Sequence, residues 1–239
     1  VWRETVKGTY DDYEIVTMGP PSSGGIHVIQ MLNILEQYDL VSMGHNSPTY
    51  VAVLTESMKY AYADRSKYLG DPDFFDVPTQ TLISKSYANT INQKIKLGTI
   101  TPSESILPGS AMPPESPDTT HFSVADSDGN LVSNTYTLNS GFGSGIVIDG
   151  TGVLMNNEMD DFVSAPGIPN QFGLIGGEAN KIEPFKRPLS SMTPNIVLQN
   201  GKPVYATGSP GGSRIITAVL QFLLNTLKFK MEISDATVA

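Results

Sequence analysis

Apolar side chains recur at helical spacing between Ile26 and Leu35, directly after a turn rich in proline, serine and glycine. Ser47-Pro48 is typical of a helix start, because serine caps the first turn and proline fits within it. The helices predicted in this way cover residues 26–36, 48–68, 84–95 and 212–227. We therefore expect the first 118 residues to be mostly helical.

The pattern changes between residues 98 and 118. This stretch is mostly polar, has no periodicity and contains five prolines. A structureless segment of about 20 residues is unusual inside a compact domain unless it serves a function. We interpret it as an exposed linker, after which the pattern becomes strand-like.

The residues after the linker alternate between polar and apolar with a period of two, which predicts a β-hairpin around Asp128-Gly129. The polar residues of both strands fall on odd numbers. Because opposed side chains share a face, odd residues must pair with odd residues. A three-residue loop, 127–129, satisfies this condition and pairs Thr119 with Thr137, with Asn139 next on the same face.

A polar strand face is most often simply solvated. This one begins with Thr119 where an apparently cleavable linker ends, which favours a second interpretation. Cleavage of the peptide bond before Thr119 would free an α-amine that titrates near neutral pH and can take the proton from the threonine hydroxyl. Thr137 would then orient that hydroxyl.

Three other segments combine residues that suit small charged ligands. Residues 208–214 expose glycine N–H groups before a helix, which suits an oxyanion. A phosphate-binding loop would need a Gly-Lys-Ser/Thr sequence, which is missing. A plain tight turn without a ligand is the other interpretation. Residues 156–162 bunch three carboxylates beside amides, which either bind an ammonium group or form a solvated loop. Residues 186–192 contain Ser190 and Ser191, which could hold a carboxylate.

Composition narrows the classes of function. Lys+Arg is 15 against Asp+Glu 24, a net charge of -9, which disfavours nucleic acid and anionic membranes as partners. The chain has no cysteine, so disulfides and thiolate chemistry are excluded, and its three histidines lack metal-ligand spacing. We expect no metal and no cofactor. Since the chain begins Val1-Trp2-Arg3, we expect it to be part of a longer protein whose targeting segment lies elsewhere.

Taken together, the segments resemble those of bacterial-type gamma-glutamyltransferases in order and spacing, and the resemblance covers essentially the whole chain. The matching motifs are Pro20 to Ile29, Tyr60 to Phe74, Thr119 to Val124, Thr135 to Asn139, Asn156 to Phe162, Pro188 to Met192 and Gly208 to Ile216.

The resemblance implies an α/β N-terminal-nucleophile hydrolase with a four-layer αββα sandwich, here truncated at both ends. It implies that the precursor cuts itself between Asp118 and Thr119. Residues 1–118 would then be the C-terminal part of the large subunit and 119–239 the N-terminal part of the small subunit, the two remaining together as a heterodimer. The enzyme would act in the periplasm or outside the cell, passing the gamma-glutamyl group of glutathione and related donors to water or to amino acid or peptide acceptors.

Carried over by position, the resemblance also implies a role for individual residues. Thr119 is the nucleophile, Thr137 its hydroxyl partner, and the Gly211 and Gly212 amides form the oxyanion hole. The donor's α-ammonium is bound by Asn139, Glu158 and Asp161, and its α-carboxylate by Ser190 and Ser191.

Three departures from the family pattern accompany these roles. Glu158 stands where many relatives have glutamine. Residues 166–180 resemble a lid loop, in which Phe172 stands where a tyrosine is common. The family's carboxylate-binding arginine lies before Val1 and is not among these residues.

Two alternatives to a gamma-glutamyl transferase stay open. The first is a related amidase that acts on poly-gamma-glutamate or on β-lactam side chains. The second is an inactive fragment or pseudoenzyme.

Overall fold

The computed structural model describes residues 2–106, 119–170 and 173–239. The chain has a mixed α/β fold in which strands and helices come from both sides of residues 107–118. In chain order the elements are β1 (Val6–Tyr10), β2 (Tyr13–Thr17), α1 (Gly24–Leu35), α2 (Leu40–Met43), α3 (Pro48–Tyr68), α4 (Thr79–Leu82), α5 (Lys85–Asn92), β3 (Thr119–Ala125), β4 (Leu131–Thr137), β5 (Asn195–Gln199), β6 (Lys202–Thr207), α6 (Arg214–Leu223) and α7 (Ile233–Val238).

The helices form largely where the apolar spacing predicts them. The Ser47 hydroxyl accepts the Tyr50 N–H at 3.2 Å and Ser84 caps α5 in the same way, accepting the Tyr87 N–H at 3.1 Å. The predicted helix over 84–95 is shorter than expected, since α5 ends at Asn92. α1 is buried along its whole length and packs against α3, α5, α6 and β1, so it forms the centre of the core. Within the described ranges, no helix is both long and apolar enough to cross a membrane.

A four-stranded antiparallel sheet, in the order β1-β2-β5-β6, is the main sheet of the structure. The expectation of a mostly helical first part is incomplete, because it overlooks β1 and β2. Each of these strands has only 5 residues, which is too short for alternation to stand out. β2 pairs with β5 from Tyr13↔Gln199 to Thr17↔Asn195, so residues on both sides of the linker share one sheet.

β3 and β4 form the predicted hairpin, with Thr119 opposite Thr137. Gly129 has a φ of +84°, the left-handed conformation that the three-residue loop requires. Asp126 stabilises the loop, since its Oδ1 accepts the N–H groups of Asp128 at 2.9 Å and Asn130 at 2.8 Å. The even-numbered face of the hairpin carries exposed apolar side chains, namely Phe122, Val124, Val132 and Tyr136.

Within the described part of the predicted linker, residues 98–100 are exposed and Thr101 is attached to α3. Thr101 donates its N–H to Glu56 at 3.1 Å and accepts from Lys59 at 2.8 Å, both on α3. Ile106 is buried at the end of a short 3₁₀ turn. A polar, proline-containing segment therefore finds its partners on a neighbouring helix, which local spacing does not reveal. Asp118 lies outside the described residues.

Candidate active site

Thr119 and Thr137 lie opposite each other at the open end of the hairpin, as the alternation predicts. Opposed residues of an antiparallel pair have Cβ atoms about 4.5–5.5 Å apart, so the two hydroxyls share one small region of the polar face. The Thr137 Oγ1 also accepts the N–H of Asn139 at 2.8 Å, which fixes its rotamer. A threonine hydroxyl is thus held next to the predicted nucleophile.

The glycine-rich loop before α6 lies directly against this hairpin. The ring of His121 on β3 touches the backbone of Gly208, and the Ser133 hydroxyl on β4 donates to the Thr207 carbonyl at 3.1 Å. The end of the loop is tied to α3, because the Tyr62 hydroxyl donates to the Ser213 carbonyl at 2.5 Å.

Gly211 and Gly212 both have positive φ, +126° and +56°, a backbone that a residue with a Cβ would adopt only with strain. Their carbonyls accept the Arg214 and Ile215 N–H groups and so start α6. Gly211 and Gly212 stand just before Ser213, the N-cap of α6, so their own N–H groups lie outside the helix and near the positive end of its dipole. The loop therefore has the chemistry of an oxyanion site, beside the strand that carries Thr119.

Asn139 connects the hairpin to the acidic segment. It is buried with a left-handed φ of +77°, and its Nδ2 donates to the Asn157 carbonyl at 3.1 Å. Asn157 in turn accepts the Ser140 N–H at 3.0 Å and donates its own N–H to Leu138 at 3.1 Å. Because an ammonium group only donates hydrogen bonds, the predicted role of Asn139 in binding one would fall to its side-chain oxygen.

Glu158 and Asp161 face each other across one 3₁₀ turn, Glu158–Asp161. Burial, reinforced by the negative charge of Glu158, raises the pKa of Asp161 to about 8, while the positive charge of Arg65 opposes the rise. Burial also raises the pKa of Glu158. The two acids therefore share a proton, with protonated Asp161 donating to Glu158. A cation entering this site would displace that proton and be held by two half-buried carboxylates.

Two asparagines hold the main chain of Asp161 in place. The Nδ2 groups of Asn170 and Asn180 donate to the Asp161 carbonyl at 3.3 and 2.9 Å. Both belong to residues 166–180, which fold back on themselves through an antiparallel bridge between Pro169 and Ile175. The segment predicted to be a lid is thus anchored beside the acidic pair. Phe172 lies outside the described residues.

Ser190 and Ser191 are held by residues that the sequence analysis did not identify. The Ser190 carbonyl accepts both the N–H and the hydroxyl of Ser23, at 2.9 and 2.8 Å. Arg65, nearly fully buried, donates its Nε to Ser23 Oγ and its NH2 to Ser191 Oγ, each at 2.9 Å. Since Arg65 also acts on the pKa of Asp161, it joins the two serines to the acidic pair. The sequence did contain one sign that Arg65 is buried, because it lies four residues after buried Ala61 and therefore on the same face of α3.

A buried carboxylate anchors the segment that leads into the two serines. Asp71 is fully buried, and its Oδ2 accepts the Arg187 backbone N–H at 2.9 Å and the guanidinium at 3.2 Å. The adjacent Asp73 accepts from the same guanidinium at 2.7 Å. The position of Ser190 and Ser191 is therefore set from three sides, by Ser23, by Arg65 and by this ion pair.

Comparison with known proteins identifies related sequences over the whole chain. A family model described as Gamma-glutamyltranspeptidase matches residues 1–239. A glutathione hydrolase proenzyme of Escherichia coli (strain K12) is 52% identical over 239 residues, covering 100% of this chain and 41% of that protein. An Acylase ACY 1 proenzyme of Pseudomonas sp. (strain SE83) is 40% identical, covering 99% of this chain and 40% of that protein.

Solved structures show the same fold. A cephalosporin acylase from Bacillus halodurans is 25% identical with a TM-score of 0.79, covering 100% of this chain and 40% of that chain. This chain therefore spans less than half the length of these three relatives.

Proposed function

The chain belongs to the gamma-glutamyltranspeptidase family, and we propose that it carries the catalytic centre of an enzyme that transfers gamma-glutamyl groups from glutathione and related amides. The acceptor is water or the amino group of an amino acid or peptide. One observation carries the proposal: Thr119 faces Thr137 at the end of the hairpin, while the next residue on that face, Asn139, holds the segment that bears Glu158 and Asp161.

The first step is self-cleavage. The Thr119 hydroxyl attacks the Asp118 carbonyl carbon, the C–N bond breaks, and the nitrogen takes the hydroxyl proton, so that an ester replaces the peptide bond. Water then hydrolyses this ester and leaves a free α-amine on Thr119. The two products, one containing residues 1–118 and the other residues 119–239, stay joined as a heterodimer, an inference supported by the pairing of β2 with β5 across the cut.

Transfer uses the new α-amine as the base. It takes the proton from the Thr119 hydroxyl, which attacks the gamma-carbonyl of the donor. The Gly211 and Gly212 N–H groups stabilise the resulting oxyanion, and such donors contribute about 3 kcal/mol each in comparable sites. The amine part of the donor takes that proton from the Thr119 α-ammonium and leaves, so that the gamma-glutamyl group stays on Thr119 as an acyl-enzyme. Water or the acceptor amine then attacks the acyl-enzyme.

The donor's α-carbon is recognised by groups of opposite charge. Its ammonium lies against Asp161 and Glu158, where it displaces the shared proton. Because an ammonium group only donates hydrogen bonds, its neutral partner is the side-chain oxygen of Asn139. Its carboxylate lies at the Ser190 and Ser191 hydroxyls. The guanidinium of Arg65, 2.9 Å from Ser191 Oγ, adds positive charge behind this end of the site.

The finer architecture and location belong to the same proposal. We infer a four-layer αββα sandwich in which the main sheet packs on α1 and the hairpin contributes to the second sheet. The exposed apolar face of the hairpin, with Phe122 and Tyr136, supports a further covering layer. We assign the enzyme to the periplasm or the cell exterior, as the resemblance to bacterial-type gamma-glutamyltransferases implies.

A second candidate is an amidase acting on β-lactam side chains, favoured by the likeness to the cephalosporin acylase from Bacillus halodurans, with a TM-score of 0.79. The acidic pair discriminates between the two. Glu158 and Asp161 suit a donor with an α-ammonium group, whereas an acyl side chain without one leaves both carboxylates without a cation. We therefore prefer a gamma-glutamyl donor, and poly-gamma-glutamate remains a longer donor of the same chemistry.

The test uses the natural full-length form of the protein. Wild type should have a second N-terminus at Thr119 and release the chromophore from a gamma-glutamyl anilide. Thr119→Ala should remain one uncut chain and be inactive, whereas Thr120→Ala, its neighbour on the opposite face, should be cut normally. Maturation of Thr119→Ala at the same bond would mean that another protease makes the cut. A correctly cut wild type without turnover would refute the proposed activity.

A further inference from the structure

His121 lies two residues from Thr119 on the same face of β3, and the reaction described above does not use it. Both of its ring nitrogens are engaged with hydroxyl groups. Nδ1 lies 2.8 Å from Thr135 Oγ1 on the opposite strand, and Nε2 lies 3.1 Å from Ser123 Oγ. Burial lowers the pKa of His121, which favours the neutral ring. The ring is thus fixed in orientation and is not offered to a substrate as an acid or base.

The face of this ring is in direct contact with the backbone of Gly208. A Cβ built on Gly208 would lie 2.2 Å from His121 Nδ1 and 2.4 Å from Cε1, far inside the distance at which atoms can approach. Gly208 is not among the glycines with positive φ, so glycine is needed here for space and not for an unusual backbone. The start of the glycine loop therefore lies directly against the His121 ring, because Gly208 has no side chain of its own to keep them apart.

Gly208 begins the loop that leads to Gly211 and Gly212. A second tie lies next to it, where the Ser133 hydroxyl donates to the Thr207 carbonyl at 3.1 Å. The His121 contact and this hydrogen bond attach both strands of the hairpin to the same end of β6. Two such attachments set the distance and the angle between Thr119 and the oxyanion donors.

We propose that His121 is a positioning residue that, through its contact with Gly208, sets the oxyanion loop relative to the Thr119 hydroxyl. The inference rests on the proposed function, since it concerns the same reaction. A displacement of about 1 Å between reacting groups costs on the order of 100-fold in rate. The donor pocket at Asp161 and Ser190 is held by other contacts, so the effect should fall on kcat and leave KM nearly unchanged.

A double-mutant cycle in the natural full-length protein tests this contact. Gly208→Ala should lower kcat for a gamma-glutamyl anilide by roughly 10- to 100-fold, because its Cβ pushes the loop away from the ring. His121→Ala should lower kcat because the loop loses its support. The double variant should be more active than Gly208→Ala alone, because the Cβ then occupies the space of the ring. His121→Asn, which keeps a polar group near the Nδ1 position, should retain more activity than His121→Ala.

The cleavage rate before Thr119, followed by intact mass, provides a second readout for variants that mature slowly. It should show the same rescue in the double variant, because the attack of Thr119 on the Asp118 carbonyl also forms an oxyanion, which the same loop would stabilise. His45→Ala is the matched control: it removes a partly buried histidine that contacts Asn225, and it should leave kcat unchanged. The proposal would be overturned if the loss of kcat in the double variant equalled the product of the two single losses, or if His121→Ala kept the full kcat. An inactive wild type would instead refute the proposed function itself.

Discussion

Replacing Glu158 with glutamine should move the acid side of the kcat/KM profile to lower pH. In the proposed mechanism the donor's ammonium binds to ionised Asp161, whose pKa is raised to about 8 by burial and by the charge of Glu158. In the wild type, kcat/KM should therefore fall as the pH drops below about 8. Glutamine removes the neighbouring negative charge but keeps the shape of the side chain, so Asp161 should ionise at a lower pH.

The magnitude follows from the two causes of the shift. The ordinary pKa of Asp161 is 3.8, so burial and Glu158 together raise it by about 4. Burial is the larger cause and the charge of Glu158 the second, so the glutamine variant should keep the part of the rise that burial causes and lose the part that the charge causes. For each pKa unit that the variant loses, it should keep roughly ten-fold more of its maximal kcat/KM at pH 6 than the wild type does.

The assay is the initial rate with a gamma-glutamyl anilide far below KM, between about pH 5.5 and 9.5, where kcat/KM reports the ionisation of the free enzyme. The Thr119 α-amine also titrates near neutral pH. A donor without the α-amino group separates the two groups, because it depends on the Thr119 amine and not on Asp161. With that donor the wild type and Glu158→Gln should have the same profile.

Glu178→Gln is the matched control, since Glu178 is an exposed glutamate paired with Lys181 at 3.1 Å. It should not move the profile. The reasoning would be refuted if Glu158→Gln and the wild type lost activity at the same pH, or if Glu178→Gln moved the profile as far. Either result would mean that the acidic limb does not belong to Asp161 beside Glu158.

Three further predictions concern binding and stability. Asp161→Ala should lower kcat/KM by roughly 30-fold or more, since losing one partner of a buried charged hydrogen bond costs about 2–5 kcal/mol. With a donor that lacks the α-amino group, the kinetics of this variant should hardly differ from those of the wild type. Arg65→Lys should raise the donor KM, because a lysine cannot bond Ser23 and Ser191 together; an unchanged KM would contradict that role. The 239-residue chain purified alone should associate through the exposed hairpin face that includes Phe122, and light scattering from a stable monomer would contradict this.

The hairpin is the element that the sequence predicted best. Alternation with a period of two assigns each residue to a face, and Asp128-Gly129 limits the loop, so only one register keeps odd residues opposite odd residues. The pairing of Thr119 with Thr137 could therefore be predicted from the hairpin residues alone, without the rest of the chain. Helix starts were equally local, because the Ser47 cap and the first residues of α3 are neighbours in sequence.

Short strands were harder to predict for a related reason. β1 and β2 have 5 residues each and lie next to a strong helical signal. β1 pairs with β2, and β2 pairs with β5 about 180 residues later in the chain, so no local pattern records the partner that completes their sheet.

The amino-acid sequence by itself determined the local elements and predicted the residue types of the proposed site, namely a threonine nucleophile, glycine amides, paired acids and paired serines. Only the tertiary structure decided how these are joined. The contact of Arg65 with Ser191, the bond from Asn139 to Asn157 and the packing of His121 on Gly208 link segments that are distant in sequence. Periodicity predicts which side of a helix or strand a residue occupies. Which other surface packs against that side is decided only by the tertiary structure, because packing depends on the burial and pairing of the whole chain at once.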